Sequence, residues 1–167
     1  SMEFTKTFSF DTDEEILSLK QNPRVILFHS ITGRLRAGDR YEFKLIHSIV
    51  DGVDDLAVAH VSSEPPLSTS INSGPHLYLE GATFFGSVEV SSLNGKGGVF
   101  TDLVQVWDTQ KGCLSHSTFR DEGSRLPRVH SCLKRTEMNR LLFTSRNYDS
   151  SGYGQLSRSC DYPILEQ

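Results

Sequence analysis

A basic segment in the second half of the chain has the strongest chemical signature in this sequence. Residues 120–146 contain seven basic and three acidic residues, whereas the whole chain has a formal charge of −4. Arginine forks bind carboxylates and phosphates through paired hydrogen bonds, so the segment predicts a site for an acidic or phosphorylated peptide. The expected binding residues are Arg120, Arg125, Arg128, Lys134, Arg135 and Arg140.

This segment favours a non-enzymatic interaction domain with a protein partner, although it also fits a solvated surface that pairs with the protein's own acidic residues. Nucleic acid is disfavoured, because the chain is acidic overall and aromatic residues are not interleaved with the arginines. The chain contains no nucleophile elbow, zinc-protease helix motif or EF-hand loop, so no sequence motif favours an enzymatic role. The three cysteines lack a CxxC spacing, so we expect no metal, and no motif indicates a cofactor.

Four residues are weak catalytic candidates, on the condition that the sheet encloses a ligand cavity: Tyr41, His47, His76 and Glu80. The alternation in "HLYLEG" puts His76 and Glu80 on one face of a strand, and the alternation in "YEFKLIHSIV" does the same for Tyr41 and His47. The alternative function is therefore a small β-barrel that binds an apolar molecule, such as an isomerase or cyclase, with the polar loop 62–76 as its lid.

The glycine-rich stretch "LNGKGGVF" at residues 93–100 raises the question of a phosphate-binding loop. A P-loop requires Ser or Thr after the lysine and a helix behind it, but Gly97 follows Lys96 and a strand-like run comes next. Asn94-Gly95 is a common tip of a two-residue hairpin. The stretch is thus predicted to be a hairpin tip between two antiparallel strands.

The remaining patterns predict an α+β fold that is mainly β. Thr12 and Glu15 form a capping box for a helix at residues 10–23, and a second short helix is expected at 129–140. Between them, short alternating runs joined by turns predict an antiparallel meander of seven or eight strands, as a sandwich or a partly open barrel. No internal repeat is apparent in the sequence.

The chain is expected to form one β-rich domain over residues 1–147, followed by an irregular tail over 148–167 that is rich in Ser, Gly and Tyr. A second alternative function, a structural or assembly domain, would use an exposed edge strand or this tail. No apolar run is long enough for a membrane span, and the cysteine pattern predicts a reducing compartment, either cytoplasm or nucleus. The oligomeric state is left open by the sequence.

Overall fold

The computed structural model describes residues 23–60, 74–136, 143–147 and 149–158. Its regular structure within these ranges is entirely β, with no helix. The strands are β1 Arg24–Phe28, β2 Ile31–Thr32, β3 Leu35–Ala37, β4 Glu42–Ile46, β5 Ile49–His60, β6 His76–Glu80, β7 Thr83–Val90, β8 Ser92–Lys96, β9 Val99–Phe100, β10 Val104–Val106, β11 Cys113–Ser115, β12 Thr118–Arg120, β13 Arg128–His130 and β14 Leu133–Arg135.

All pairs among these strands are parallel, and they form two sheets. The first sheet has the order β1-β4-β6-β8-β11-β13 and the second has the order β14-β12-β9-β7-β5-β2. The strands β3 and β10 pair with the later halves of β5 and β7. The chain therefore passes from the first sheet to the second and returns beside its previous strand, which is the path of a parallel β-helix, with six coils among the described residues.

A two-residue corner joins the first sheet to the second in each of the six described coils. The first corner residue always has a positive φ, between 46° and 69°, and these residues are His29, His47, Gly81, Gly97, His116 and Ser131. The backbone ladder continues through the corners, because His47 donates its amide to Glu80 O (2.8 Å) and Gly81 donates its amide to Lys96 O (2.9 Å). The left-handed conformation thus turns the chain without interrupting the hydrogen bonds between coils.

The second corner residue is always small, and its side chain stabilises the turn in four of the six corners. Ser48 Oγ donates to Ile46 O (2.8 Å), and Ser117 Oγ donates to Ser115 O (2.7 Å). Ser30 and Cys132 make the equivalent bond to the carbonyl two residues earlier. Such local side-chain bonds favour a turn over a continued strand, which fixes where each coil bends.

The interior is a filled apolar core between the sheets. Equivalent inward positions on successive coils are in contact, as in the row Leu45–Leu79 on the first sheet and the row Phe84–Phe100 on the second. The Phe84 and Phe100 rings are stacked with centroids 4.9 Å apart, and both side chains are fully buried. Stacking of equivalent side chains across coils is what makes a solenoid stable.

The predicted antiparallel meander is wrong, and so are the sandwich and the partly open barrel built on it. Alternation of apolar and polar residues is the same in parallel and antiparallel strands, so it does not reveal the direction of pairing. Parallel pairing needs a long connection, and here one full coil of the solenoid provides it instead of a helix. The same repeated coil corrects the expectation that the chain has no repeat.

The helix expected at 129–140 is also wrong, because residues 128–135 form β13, a corner and β14. Val129 and Cys132 do face the core together, but the corner brings them there rather than a helical turn. The remainder of that segment, residues 137–140, and the helix expected at 10–23, up to residue 22, lie outside the described residues.

The hairpin predicted at "LNGKGGVF" is a strand, a corner and a strand. Asn94 and Gly95 lie within β8, Gly97 forms the corner, and β9 follows. Asp51-Gly52, which resembles a hairpin turn, lies instead inside β5, where a bulge separates Asp51 from Leu56. A bulge bends its strand outward and often lies beside a functional surface.

Candidate functional site

The basic residues predicted to bind an acidic partner lie on the last two coils. Arg120 and Arg135 are neighbours in register on β12 and β14, and Arg128 is on β13. Lys134 is on β14 and Arg125 follows β12, forming a bridge with Gln105. Arg140 lies outside the described residues.

Two of these arginines, Arg120 and Arg135, make contacts with other residues of the protein. Arg135 is only 6% exposed and donates from Nη2 to the carbonyl oxygen of Phe100. Burial lowers the pKa of Arg135, the charge of Arg120 lowers it further, and Asp102 opposes the shift. Arg120 is 3.9 Å from Asp102 through Nη1 and Oδ1. Arg120 and Arg135 thus link the fourth, fifth and sixth coils, with Arg135 buried and the Arg120 side chain 35% exposed.

Of the predicted binding residues, Arg125, Arg128 and Lys134 are exposed, and the last two form the basic rim of the sixth coil. Arg128 and His130 are exposed on β13, and Lys134 is exposed on β14. Lys134 Nζ is 3.4 Å from Asp121 Oδ1, and both side chains are more than half exposed. An ion pair of this kind is weak and exchanges readily with another acidic group. Within the described ranges, no strand pairs with the outer edges of β13 and β14.

The four weak catalytic candidates do not converge. Tyr41 precedes β4 and is 43% exposed beside the first coil. His47 is a corner residue whose ring stacks on His29, with centroids 5.2 Å apart. His76 lies at the start of β6, where Nδ1 is 2.7 Å from Ser92 Oγ. Glu80 lies at the other end of β6, so His76 and Glu80 share a face, as the alternation predicts, without sharing a cavity.

Glu80 forms an ion pair on this outer face with Lys96 Nζ at 3.1 Å. Lys96 lowers the pKa of Glu80 through this hydrogen bond and through its charge, with smaller contributions from His47 and Lys44, while burial opposes the shift. A lowered pKa means that Glu80 stabilises the fold above the pKa of an unfolded glutamate, and this stabilisation is lost as the pH falls through the folded pKa.

Lys96→Met is therefore expected to raise the pKa of Glu80 toward its ordinary value. The variant should also remove the contribution of Glu80 to the loss of stability at low pH. A carbon-detected NMR titration of the side-chain carboxyl measures this directly. Lys111→Met is the matched control, since Lys111 pairs with Asp108 and not with Glu80. An unchanged Glu80 titration in Lys96→Met would contradict the assignment.

A second site, missed by the sequence patterns, lies on the outer face of the second sheet. Residues 143–147 and 149–158, here called the strap, cross that face and hold themselves together through the bridges Phe143–Leu156 and Ser145–Tyr153. The strap is centred on Phe85, which points outward from β7. The Phe143 ring packs edge-on against the Phe85 ring, with centroids 4.7 Å apart, and the Tyr153 ring centroid lies 5.7 Å away. The Arg146 guanidinium lies 5.0 Å from the Phe85 ring centroid.

A pocket that is open to solvent lies between the strap and the bulge of β5, with a volume of about 220 Å³. Its lining residues are Asp51, Val53, Phe85, Gly86, Thr101, Asp102 and Arg146. Tyr153 closes one side by donating its hydroxyl to Asp51 Oδ2 at 2.5 Å. Two carboxylates and one guanidinium thus meet at a single polar pocket, and only the fold brings these distant residues together.

Comparisons with protein-family models, curated proteins and solved structures find no match for this chain. Within the described ranges, no cluster of His, Cys, Asp and Glu side chains has the arrangement to hold a metal ion. None of the described residues belongs to a helix that is long and apolar enough to cross a membrane. The candidate functions therefore depend on the geometry of the exposed surfaces.

Proposed function

We propose that this protein is a non-enzymatic interaction domain that binds an acidic or phosphorylated segment of a protein partner at its sixth coil. The observation that carries the proposal is the basic rim of this coil, where Arg128 and Lys134 lie beside strand edges that have no strand partner among the described residues. An extended segment could add to such an edge as the next strand of the sheet.

The two kinds of contact have different roles in this proposal. Main-chain hydrogen bonds to β13 would give affinity for any extended segment, while the side chains of Arg128 and Lys134 would select an acidic or phosphorylated one. The ion pair of Lys134 with a carboxylate of this chain, Asp121, supports the proposal that this position accepts an anionic group. The two cysteines in the described ranges, Cys113 and Cys132, are free thiols, which supports a setting in the cytoplasm or nucleus.

The opposite end of the solenoid has a different character. Ile26, Phe28 and Ile31 on the first coil are each more than half exposed, at 57%, 60% and 54%. This observation favours the structural or assembly domain as a second candidate function, with contact through the first coil. The β-barrel alternative loses its basis, because the solenoid interior is filled and Tyr41, His47, His76 and Glu80 line no common cavity.

Fluorescence polarisation with a labelled seven-residue peptide of alternating Glu and Val, and with its phosphothreonine counterpart, tests the main proposal. The double variant Arg128→Glu, Lys134→Glu is expected to bind at least about fivefold more weakly, because two exposed ion pairs together contribute on the order of 1 kcal/mol. Binding should also weaken with added salt. Arg135 is unsuitable for this test, since its substitution would disturb the core.

Arg24→Glu, Lys44→Glu is the matched control, because it changes the net charge equally on the first two coils. The proposal fails if the wild-type protein binds neither peptide, or if both double variants lose the same affinity. The assembly function predicts a different result: light scattering would show a complex that Phe28→Ser disrupts and the basic-rim variant leaves intact.

A further inference from the structure

The pocket between the strap and the β5 bulge has a donor and acceptor pattern that points to a specific kind of small molecule. We propose that it binds a small zwitterion, with the ligand's ammonium group at Asp51 and Asp102 and its carboxylate at Arg146. This site is separate from the basic rim of the sixth coil, so it is independent of the proposed partner binding.

The negative half of the site consists of two carboxylates that the chain itself holds in place. Asp51 Oδ1 accepts the Val53 amide (2.8 Å) and Oδ2 accepts the Tyr153 hydroxyl. Asp102 Oδ1 accepts the Leu103 amide (2.8 Å) and Oδ2 accepts the Ser87 hydroxyl (3.2 Å), while Arg120 Nη1 lies 3.9 Å from Oδ1, at the long end of ion-pair distance. Each carboxylate offers about four lone-pair directions, so both retain acceptor capacity toward the pocket.

The positive half is the guanidinium of Arg146. It lies over the Phe85 ring, and none of the described carboxylates lies within ion-pair distance of it. Stacking on an aromatic ring fixes the plane of a guanidinium but leaves its in-plane N–H donors for a carboxylate. The strap therefore presents a preoriented cation beside two anchored anions.

The size of the pocket limits the ligand. A volume of about 220 Å³ is equivalent to roughly seven water molecules at ~30 Å³ each. This is smaller than the pockets of drug-sized ligands, so a molecule with roughly five to ten non-hydrogen atoms fits best. Small amino acids are within this range.

The charges distinguish a zwitterion from other small ligands. An amine alone would leave Arg146 covered and unpaired, and a carboxylate alone would approach two like charges. A sugar would form hydrogen bonds with all three groups but would neutralise none of them. Only a ligand that carries both charges pairs with each half of the site.

The test is a titration of ¹⁵N-labelled protein followed by NMR, with glycine, β-alanine and 4-aminobutanoate as probes. Ethylammonium, acetate and glucose are the comparison ligands, since they carry one charge or none. At least one zwitterion is expected to shift the amide signals of Asp51, Gly86 and Asp102 at concentrations about tenfold below those that either single-charge ligand requires, a difference expected from one additional charge-assisted contact.

Variants then assign the two halves of the site. Arg146→Met keeps a side chain over Phe85 and is expected to reduce zwitterion affinity at least about tenfold while leaving weak ethylammonium binding unchanged. Asp102→Asn is expected to weaken the zwitterion and ethylammonium together. Lys111→Met is the control and should bind as the wild-type protein does, since Lys111 pairs with Asp108 outside the pocket. The proposal is overturned if no zwitterion shifts these signals, if glucose or a single-charge ligand binds equally well, or if Arg146→Met binds zwitterions normally.

Discussion

Gly95→Ala is expected to be strongly destabilising, at a cost of about 4 kcal/mol or more. Gly95 has a φ of 148°, and a Cβ atom at this position would lie 2.0 Å from Leu79 O and 2.8 Å from Leu79 C and N. The obstacle is the backbone of the neighbouring coil, which cannot rotate away as a flexible side chain would. Because Leu79 is itself fully buried, a shift of its backbone would disturb the core.

Urea and thermal unfolding followed by circular dichroism measure this effect, and Gly33→Ala is the matched control. An added Cβ at Gly33 meets no atom within 4 Å, so this change should leave stability within about 0.5 kcal/mol of the wild type or raise it slightly. Similar midpoints for Gly95→Ala and the wild type would show that β8 does not pass as close to β6 as the structure has it.

The positions of the strands could be predicted from the sequence, but their partners could not. Runs such as 41–50 and 76–81 show the alternation of half-buried strands, and the structure contains β4, β5 and β6 there. Nothing in the alternation states whether the next strand reverses or turns into another sheet. The two-residue corners decide this, because a residue with positive φ turns the chain from the first sheet into the second.

The corners nevertheless leave a signal that sequence reasoning could have used. His-Ser occurs at 29–30, 47–48 and 116–117, followed each time by a β-branched residue. Gly-Ala at 81–82, Gly-Gly at 97–98 and Ser-Cys at 131–132 occupy the same place in the other three coils. A fourth His-Ser pair, at 130–131, is displaced by one residue from its corner. A residue that tolerates positive φ followed by a small one is the repeat, and it is short because only the bend requires particular residues.

The two candidate sites also differ in how far the sequence could predict them. The basic rim could be predicted from charge alone, since Arg128 and Lys134 are close in sequence, but the burial of Arg135 depends on coil stacking. The strap pocket could not be predicted, because its bond between Asp51 and Tyr153 joins residues 102 positions apart. The adjacent residues Phe84 and Phe85 also look alike in the sequence, although they have different roles. The Phe84 ring lies in the core, whereas the Phe85 ring points outward and contacts the strap.

Phe100→Ala is the second large effect, with an expected loss of about 3–5 kcal/mol and a fall in Tm of roughly 10 °C or more. The Phe100 ring is fully buried in the fourth coil and stacks against Phe84 with an interplanar angle of 3°. Its removal leaves a cavity that rigid neighbouring coils cannot close. Phe28→Ala is the control, since that ring is 60% exposed and its loss should cost at most about 1 kcal/mol.

The location of the loss distinguishes a solenoid from a globular core. Apart from the bond from Arg135 in the sixth coil to Phe100 O in the fourth, the coils pack mainly on their neighbours, so the cavity should weaken the interface between the third and fourth coils more than it weakens the first two coils. Hydrogen exchange of Phe100→Ala is therefore expected to accelerate most in β7, β9 and β12, and least in β4 and the start of β5. A uniform acceleration across all coils would mean that the domain unfolds as one unit, and a small stability loss would mean that the Phe84–Phe100 stack is not tightly packed.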